Sequence, residues 1–363
     1  MHNKVLILAN SSNGLYNFRK ELIAELKKEN EILVSIPEED KKEELEQLGC
    51  RIIHTSMERR GINPVKDFKI VKDYLKLIKR ENPSYVITYT IKPNIYGGFA
   101  SRLRKVSYAV NITGLGTAFQ KKGMLRSLVV LMYKIALKNA KVVFFENEEN
   151  RQLFISENII DAKQTCLLNG AGVNLEKFVP TDYPQTNELT KFLFVGRVMR
   201  EKGVEELFEA MGRLYREGYP VCLDILGGYE EKYDEKIAEC TEQGWLKYHG
   251  YQNDVRPFIK ETHCFVLPSW HEGMANTNLE CAASARPVIT SNIHGCKEAV
   301  IEGVSGFLCE KQNTDNLYEV MKKFTRMTYE ERKAMGMAGR KHMEEIFDKK
   351  KVVKATIEGL KRL

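Results

Sequence analysis

Short apolar runs alternate with helix-periodic segments along the whole chain, and near its middle this alternation begins again. In the first half the runs include VLILA at 5–9, YVITY at 85–89 and VVFF at 142–145. In the second half VCLDIL at 221–226 and CFVLP at 264–268 repeat the arrangement. Runs rich in β-branched residues that alternate with helices are typical of parallel sheets covered on both faces. The sequence therefore predicts two doubly wound α/β domains.

A segment rich in turn residues, GAGVNLEKFVPTDYP at 170–184, separates the two halves. We expect an N-terminal domain over residues 1–180, a C-terminal domain over 181–345, and a final helix over 346–363 that packs back on the N-terminal domain. The length of 363 residues also favours two domains over one core. Two such domains would enclose a cleft at the carboxyl ends of both sheets, where ligands of this fold class bind. One extended sheet fits the renewed alternation less well.

Positive charge is concentrated in the first half of the chain. Residues 1–185 carry 29 Lys and Arg against 21 Asp and Glu. No acidic residue lies between Glu81 and Glu146, whereas ten basic residues do. Such a face indicates an anionic partner, namely a membrane surface, a phosphorylated lipid or a nucleic acid. The alternative, that these basic side chains only solvate the surface, is less favoured.

The segment from Phe119 to Lys141 combines an apolar stripe with lysines. It can lie on a bilayer, or the stripe can face its own sheet with the lysines outside, and the sequence leaves both alternatives open. No window approaches the apolar length that a membrane span needs. Eight scattered cysteines without a CxxC pair fit a reducing compartment. We therefore expect a cytoplasmic protein.

The first chemical motif is FLFVGRVMREKG at 192–203, where a buried strand leads through a glycine and a basic loop into a helix. Gly196 permits a tight turn and a close approach of a ligand to the backbone. Exposed amides at a helix N-terminus favour a phosphate, and Arg197 and Lys202 add two cations. The alternative is a surface loop in which the arginine pairs with Glu201 or Glu205.

The second motif, SWHEGMANTNLE at 269–280, also follows a predicted buried strand. Gly273 permits a sharp turn, so that the amides of residues 274–276 can point into the cleft. Glu272 and Glu280 supply carboxylates, which suit sugar and ribose hydroxyls but could also act as general acid and base. In the structural alternative Glu280 only forms a salt bridge between helices. Together the two motifs suit a sugar diphosphate.

Taken together, these motifs resemble those of retaining glycosyltransferases of the large GT4 family, which have the GT-B fold of two Rossmann-like domains. The branch that the chain most resembles builds bacterial surface polysaccharides and glycoprotein glycans on a polyprenyl-diphosphate carrier. The matching segments are GRVMREKG at 196–203, HEG-x6-E at 271–280, SNGLYNFRKELI at 12–23, LLNGAGVNLEKF at 167–178, RPVITSNIHGCKEAV at 286–300, KPNIYG at 92–97 and NITGLGTAF at 111–119.

The resemblance implies roles for individual residues of the C-terminal half. Arg197 and Lys202 match the cations that hold the donor diphosphate and stabilise the departing nucleotide. Glu272 matches the carboxylate that contacts the donor-sugar hydroxyls, and Glu280 the one that binds the ribose. Arg197, Lys202 and Glu272 are therefore the expected catalytic residues. Further expected donor-binding residues are Gly196, Gly273, Met274, Ala275, Asn276 and Thr277.

In the N-terminal half, Gly14 matches the glycine that lets the donor lie close to the backbone. Many relatives carry a histidine just after the strand where this chain has Thr113 and Gly114, so the usual candidate for a histidine in the catalytic pocket is missing. We expect these two residues to line the substrate site in its place. The segment LGGYEE at 226–231 also lacks the common G-x-G-P pattern.

The resemblance implies transfer of a hexose or N-acetylhexosamine from a nucleotide sugar, expected to be a UDP-sugar, to a polyprenyl-diphosphate-linked glycan. The product would serve capsule, O-antigen, exopolysaccharide or glycoprotein synthesis. The expected location is the inner face of the cell membrane, contacted through the basic N-terminal half, and no nucleic acid is expected as a partner. Because no D-x-D motif occurs, we predict a metal-independent enzyme without a cofactor. A GT-B nucleotide-sugar epimerase and a non-catalytic nucleotide-sugar-binding scaffold are the alternatives.

Overall fold

The computed structural model describes residues 3–37, 40–57, 64–116, 119, 123–185 and 189–363. The chain divides into two compact units, Met1–Ala171 with Lys350–Leu363 and Gly172–Lys349. Each unit contains one parallel sheet, which confirms the predicted pair of doubly wound α/β domains. Lys121 and Lys122, in the apolar segment that the sequence singled out, lie outside the described residues.

Within the described residues the N-terminal unit has a parallel sheet of seven strands. They are β1 (Asn3–Leu8), β2 (Asn30–Ile36), β3 (Arg51–His54), β4 (Tyr85–Tyr89), β5 (Ser107–Ile112), β6 (Val142–Phe145) and β7 (Thr165–Leu167). Their order across the sheet is β3-β2-β1-β4-β5-β6-β7. The chain thus builds outwards in opposite directions from β1 and β4, the switch point at which doubly wound sheets bind ligands.

Helices cover both faces of this sheet. Apolar residues of α1 (Ser12–Lys27) and α2 (Lys42–Gln47) pack on one face. The other face is covered by α3 (Pro64–Glu81), α4 (Gly98–Arg104), α5 (Met124–Leu137) and α6 (Glu148–Ser156). The Ser11 hydroxyl accepts the Gly14 N–H at 3.1 Å and so caps α1 directly after the first strand.

Within the described residues the C-terminal unit has a parallel sheet of six strands. They are β8 (Thr190–Val195), β9 (Val221–Leu226), β10 (Leu246–Tyr248), β11 (Cys264–Leu267), β12 (Val288–Ser291) and β13 (Gly306–Cys309). Their order is β10-β9-β8-β11-β12-β13, which places the switch point between β8 and β11.

The helices of the C-terminal unit bury their apolar sides against this sheet. They are α7 (Val204–Arg216), α8 (Asp234–Glu242), α9 (Arg256–Glu261), α10 (Asn276–Ala283), α11 (Thr314–Thr325) and α12 (Tyr329–His342). In α7 the buried residues Leu207, Met211 and Leu214 recur at helical spacing and join the core. Thr328 and Glu331 form a capping box that begins α12.

The chain passes from one unit to the other after Ala171 and returns after Lys349, whereas we expected boundaries at residues 180 and 345. The Val173 N–H donates to Phe347 O at 2.8 Å, and the Lys349 N–H donates to Val173 O at 3.0 Å. These hydrogen bonds join the two passages as a short parallel pair and hold both within the C-terminal unit. The C-terminal unit therefore begins earlier, at Gly172 instead of residue 181, and ends later, at Lys349 instead of residue 345.

The last helix, α13 (Lys349–Leu360), packs on the N-terminal unit. Val352 and Leu360 are buried in the same core as α1. A Cβ at Gly359 would lie 2.6 Å from the Phe144 ring, so only glycine lets the helix approach β6 this closely. In the part of the chain that the structure describes, no helix has both the length and the apolar character of a membrane span.

Candidate active site

Two loops meet at the carboxyl edge of the C-terminal sheet, where β8 and β11 are neighbours. The Trp270 N–H, after β11, donates to Glu201 O, after β8, at 3.0 Å. Gly203 has φ +73°, and a Cβ there would lie only 2.1 Å from Pro268 O. Only glycine therefore lets the loops approach this closely. The two sequence motifs are thus brought together at the switch point.

Lys202 and Glu272 form a salt bridge between these two loops. Only 19% of the lysine side chain and 13% of the glutamate side chain are exposed. The buried Ser269 hydroxyl donates to the same Glu272 oxygen at 2.8 Å, a partner that the sequence pattern did not indicate. Opposite charges interact more strongly in such a partly buried position than in water. A cation and a carboxylate are therefore held side by side.

Arg197 lies in the same loop as Lys202 but has a different partner. Its guanidinium contacts the Glu230 carboxylate at 3.1 Å, and 47% of its side chain is exposed. Arg197 therefore does not pair with Glu201 or Glu205, the two residues that the alternative named. Glu205 contacts Arg200 instead, at 3.3 Å.

The segment LGGYEE at the end of β9 supplies Glu230, and sequence reasoning missed the contact of this glutamate with Arg197. Gly227 has φ +142°, and a Cβ there would lie 1.8 Å from Gly196 O. The Val198 N–H donates to Gly228 O at 2.9 Å, so the two loops pack backbone against backbone. In the same segment, Glu231 accepts the Arg200 N–H at 2.8 Å. The departure of LGGYEE from the G-x-G-P pattern singled out this loop in the sequence, but it did not indicate that the loop contacts the first motif.

The loop after β12 supports the start of α10. Gly295 has φ +86°, and a Cβ there would lie 2.6 Å from Glu272 O, so this position also needs glycine. The Ala275 N–H donates to Gly295 O at 2.7 Å. Its amide is therefore already engaged, contrary to our expectation for residues 274–276.

The first amides of α10 are better placed to bind an anion. Asn276 and Thr277 are the first two residues of this helix, and their amides have no acceptor within it. No side chain of the described residues caps this end. Met274 is buried, and Gly273 lies between it and Glu272. The helix start is therefore the part of the second motif that we expect to bind an anion.

Glu280 lies on the second turn of α10, apart from the pair formed by Lys202 and Glu272. Among the described residues it forms no salt bridge, so the predicted interhelical bridge is absent. Burial raises the pKa of Glu280 to about 7, although Lys177 and Lys349 act in the opposite direction. The carboxyl of Glu280 therefore keeps its proton to a higher pH than that of an exposed glutamate.

The remaining predicted site residues belong to the N-terminal unit. Thr113 and Gly114 directly follow β5, at the carboxyl edge of that sheet. Gly14 lies in the first turn of α1, and a Cβ there would meet Ser11 Oγ at 3.5 Å, an ordinary contact. The fold itself therefore does not require glycine at residue 14, and the roles of these three residues stay predictions.

The raised pKa of Glu280 makes the stability of the protein depend on pH. Between its ordinary value of 4.5 and its folded value of about 7, the unfolded chain loses this proton while the folded chain keeps it. The contribution of Glu280 to stability is therefore lost as the pH rises through this window. We expect Glu280→Gln to raise the Tm at pH 8 relative to the wild type, and we expect this gain to shrink towards pH 5.

Thermal unfolding of both proteins across this pH range measures the effect. Glu319→Gln is the matched control, since it removes an exposed carboxylate from α11 of the same unit. A gain in Tm that is the same at every pH would contradict the prediction.

Two family models match this chain, one on each unit. The model for glycosyl transferase 4-like domains matches residues 4–147, and that for glycosyl transferases group 1 matches residues 180–342. The second match contains both motifs of the site described above. Together the matches cover most of the chain, and they confirm the family that the motifs predicted.

Two bacterial enzymes and one protein of known crystal structure are similar to this chain over most of their length. An N,N'-diacetylbacillosaminyl-diphospho-undecaprenol alpha-1,3-N-acetylgalactosaminyltransferase from Campylobacter jejuni is 27% identical over 87% of this chain and 88% of that protein. A UDP-Gal:alpha-D-GlcNAc-diphosphoundecaprenol alpha-1,3-galactosyltransferase from Escherichia coli is 28% identical, over 73% and 72%. Anabaena HepE, crystallised with UDP and glucose, has the same fold, with a TM-score of 0.82, 16% identity and 100% coverage of both chains. The chain therefore belongs to the glycosyltransferases that combine a glycosyl transferase 4-like domain with a glycosyl transferases group 1 domain, and it is a hexosyltransferase with the GT-B fold.

Proposed function

We propose that this enzyme moves a hexose or N-acetylhexosamine from a UDP-sugar to a glycan on polyprenyl diphosphate, with retention of configuration. The pair of Lys202 and Glu272 at the switch point of the C-terminal sheet carries this proposal. It sets a cation for the diphosphate beside a carboxylate for the sugar hydroxyls. The names of the two curated relatives support the choice of substrates, since both contain a diphospho-undecaprenol acceptor and one contains a UDP-sugar donor.

When the donor binds, Lys202 and Arg197 would exchange their carboxylate partners for oxygens of the diphosphate. The diphosphate would take the place of Glu272 beside Lys202 and of Glu230 beside Arg197. The first amides of α10, from Asn276 and Thr277, would complete the anion site. Glu272 is then free to accept hydrogen bonds from the sugar, while Glu280 accepts those of the ribose.

The chemistry follows from the charge on the leaving group. The bond between the anomeric carbon and the phosphate oxygen breaks, and its electron pair passes to the departing UDP. Lys202, Arg197 and the helix amides stabilise this charge as it develops. The acceptor hydroxyl oxygen bonds the anomeric carbon on the same face, and its proton passes to a phosphate oxygen of UDP. This proton transfer needs no histidine at the positions of Thr113 and Gly114.

The N-terminal unit is the half of the enzyme that we propose to bind the acceptor, and the acceptor determines where the enzyme works. We propose that Gly14, Thr113 and Gly114, at the carboxyl edge of its sheet, are substrate-binding residues of this unit. The polyprenyl chain keeps the acceptor in the cell membrane, so the enzyme works at the inner face of that membrane. The product would enter capsule, O-antigen, exopolysaccharide or glycoprotein glycan synthesis.

The test is a transfer assay with a panel of UDP-sugars and a synthetic polyprenyl-diphosphate sugar. We expect one UDP-sugar to give a lipid product heavier by one hexose or N-acetylhexosamine, with an α-linkage measured by NMR. The same donor should raise the Tm, because a ligand that binds only the folded state stabilises it by mass action. Addition of EDTA should leave the rate unchanged, since we propose a metal-independent reaction.

Two outcomes would contradict this proposal. Conversion of the UDP-sugar to its epimer without any acceptor would show a different reaction on the same fold. A chain that binds UDP-sugars but transfers nothing to any lipid-linked or free acceptor would exclude transfer.

A further inference from the structure

The outer side of α5 exposes a row of large apolar side chains. Met124, Leu128, Leu131 and Ile135 recur at helical spacing, with Leu125 at the margin. Met124 is 90% exposed and Leu131 is 52% exposed, whereas the side that faces the sheet is buried. A surface helix normally carries polar residues on its outer side. The row is therefore an apolar patch of the kind that marks an interaction site.

Leu103, in the last turn of α4, extends this row. It is 67% exposed, and the adjacent Arg102 donates to Ile135 O at 3.0 Å, which places the end of α4 beside α5. The six residues that we call the apolar face are Leu103, Met124, Leu125, Leu128, Leu131 and Ile135.

Positively charged side chains surround the apolar face. Arg104, Lys105 and Lys138 are exposed, and Arg102 and Lys134 are partly exposed. Residues 82–145 contain no Asp or Glu. Among the described residues, the salt bridges of this stretch involve Lys92 and Arg126, which are not in the group. The positive charge around the apolar face is therefore not neutralised by neighbouring carboxylates in the described part of the chain.

We propose that the apolar face inserts into the interfacial layer of an anionic phospholipid bilayer, with the surrounding cations at the lipid headgroups. Apolar side chains on one helix face and cations beside them are the two features that hold a helix in that layer. The anionic headgroups of such a bilayer are complementary in charge to these cations. The preference for a bilayer over a protein also rests on the proposed function, because the acceptor carries a polyprenyl chain.

Flotation of the full chain with lipid vesicles tests this. We expect binding to vesicles that contain phosphatidylglycerol, weaker binding to pure phosphatidylcholine, and weaker binding at high salt. The triple variant Met124→Gln/Leu128→Gln/Leu131→Gln should bind at least about tenfold more weakly, because it removes half of the inserted side chains. Since these residues are exposed, the Tm should stay close to that of the wild type.

The matched control is Ile301→Gln/Val304→Gln/Met337→Gln, which removes apolar residues of 44%, 53% and 49% exposure from the C-terminal unit. It should float like the wild type. A wild-type chain that does not bind anionic vesicles, or an apolar-face variant that binds them normally, would overturn the proposal. A variant that floats normally but changes a dimer into a monomer would identify the face as an interface between two copies and would also overturn it.

A parallel assay with a short-chain, water-soluble acceptor keeps this proposal separate from the proposed function. The apolar-face variant should retain its rate with that acceptor and lose rate only with the polyprenyl acceptor in vesicles. If the wild type floats but transfers no sugar, the proposed function fails and the membrane proposal stands. If it transfers sugar but does not float, the reverse holds.

Discussion

A Lys202→Ala variant is expected to lose about 10²–10³-fold in kcat, since removal of one preorganised group that stabilises transition-state charge commonly costs this much. Lys202 lies at the switch point beside Glu272, with only 19% of its side chain exposed. In the proposed reaction it stabilises the phosphate oxygen that gains charge as UDP departs. The variant also leaves the Glu272 carboxylate without its cation. Initial rates with a UDP-sugar and a lipid-linked acceptor measure the loss.

Arg200→Ala is the matched control for Lys202→Ala, because Arg200 lies in the same turn and is also cationic. Its side chain is 63% exposed, and it contacts Glu205 and the Trp270 ring, outside the proposed anion site. We expect its kcat to stay within about threefold of the wild type, as for other exposed ion pairs. If Lys202→Ala retained at least one tenth of the wild-type rate, Lys202 would not be the residue that stabilises the leaving group.

Arg286→Met is expected to have the largest effect on stability, about 3–5 kcal/mol. Arg286 is fully buried, and its five N–H groups make seven hydrogen-bond contacts, one to the Thr181 hydroxyl and the others to backbone carbonyls. The carbonyls belong to three segments, which include Thr181, Ile259 and Ser284. Methionine has a similar length but no donor, so these buried carbonyls would lose their partner. Urea unfolding measures the change in the free energy of unfolding.

Two further variants separate this effect from the loss of a charge. Arg286→Lys keeps the charge but has three donors on one nitrogen, and it should recover only part of the stability. Arg326→Met removes an exposed arginine that bonds the Tyr219 hydroxyl at 2.8 Å, and it should cost less than about 0.5 kcal/mol. If Arg286→Met and Arg326→Met lost equal amounts of unfolding free energy, the buried hydrogen bonds of Arg286 would not be what stabilises the fold.

The fold could be predicted because buried parallel strands leave a strong local signal. The apolar runs at 5–9, 85–89 and 221–226 coincide with β1, β4 and β9. Two strands, β7 and β10, have three residues each, too few to show any period. The crossing between units was placed too late because the Val173 pairing is a long-range contact that local composition does not encode.

The sequence predicted only those residues of the candidate site whose type alone indicates what they can bind. Lys202 and Glu272 were found because a basic loop and a carboxylate loop each follow a buried strand, and the sheet order brings them together. The partner of Arg197 was not found, since Glu230 lies on a third loop whose position depends on the approach of Gly227 to Gly196. The engaged amide of Ala275 also depends on a tertiary contact, the one with Gly295.

The packing of α13 on the N-terminal unit has a consequence for how the chain is made. Val352 and Leu360 complete a core that the first strands begin, so a ribosome must finish nearly the whole chain before that core can close. The C-terminal unit is one continuous stretch and can fold earlier during translation. A premature stop codon shortly before residue 350 would therefore spare the C-terminal unit and damage the N-terminal unit, although the N-terminal unit is synthesised first.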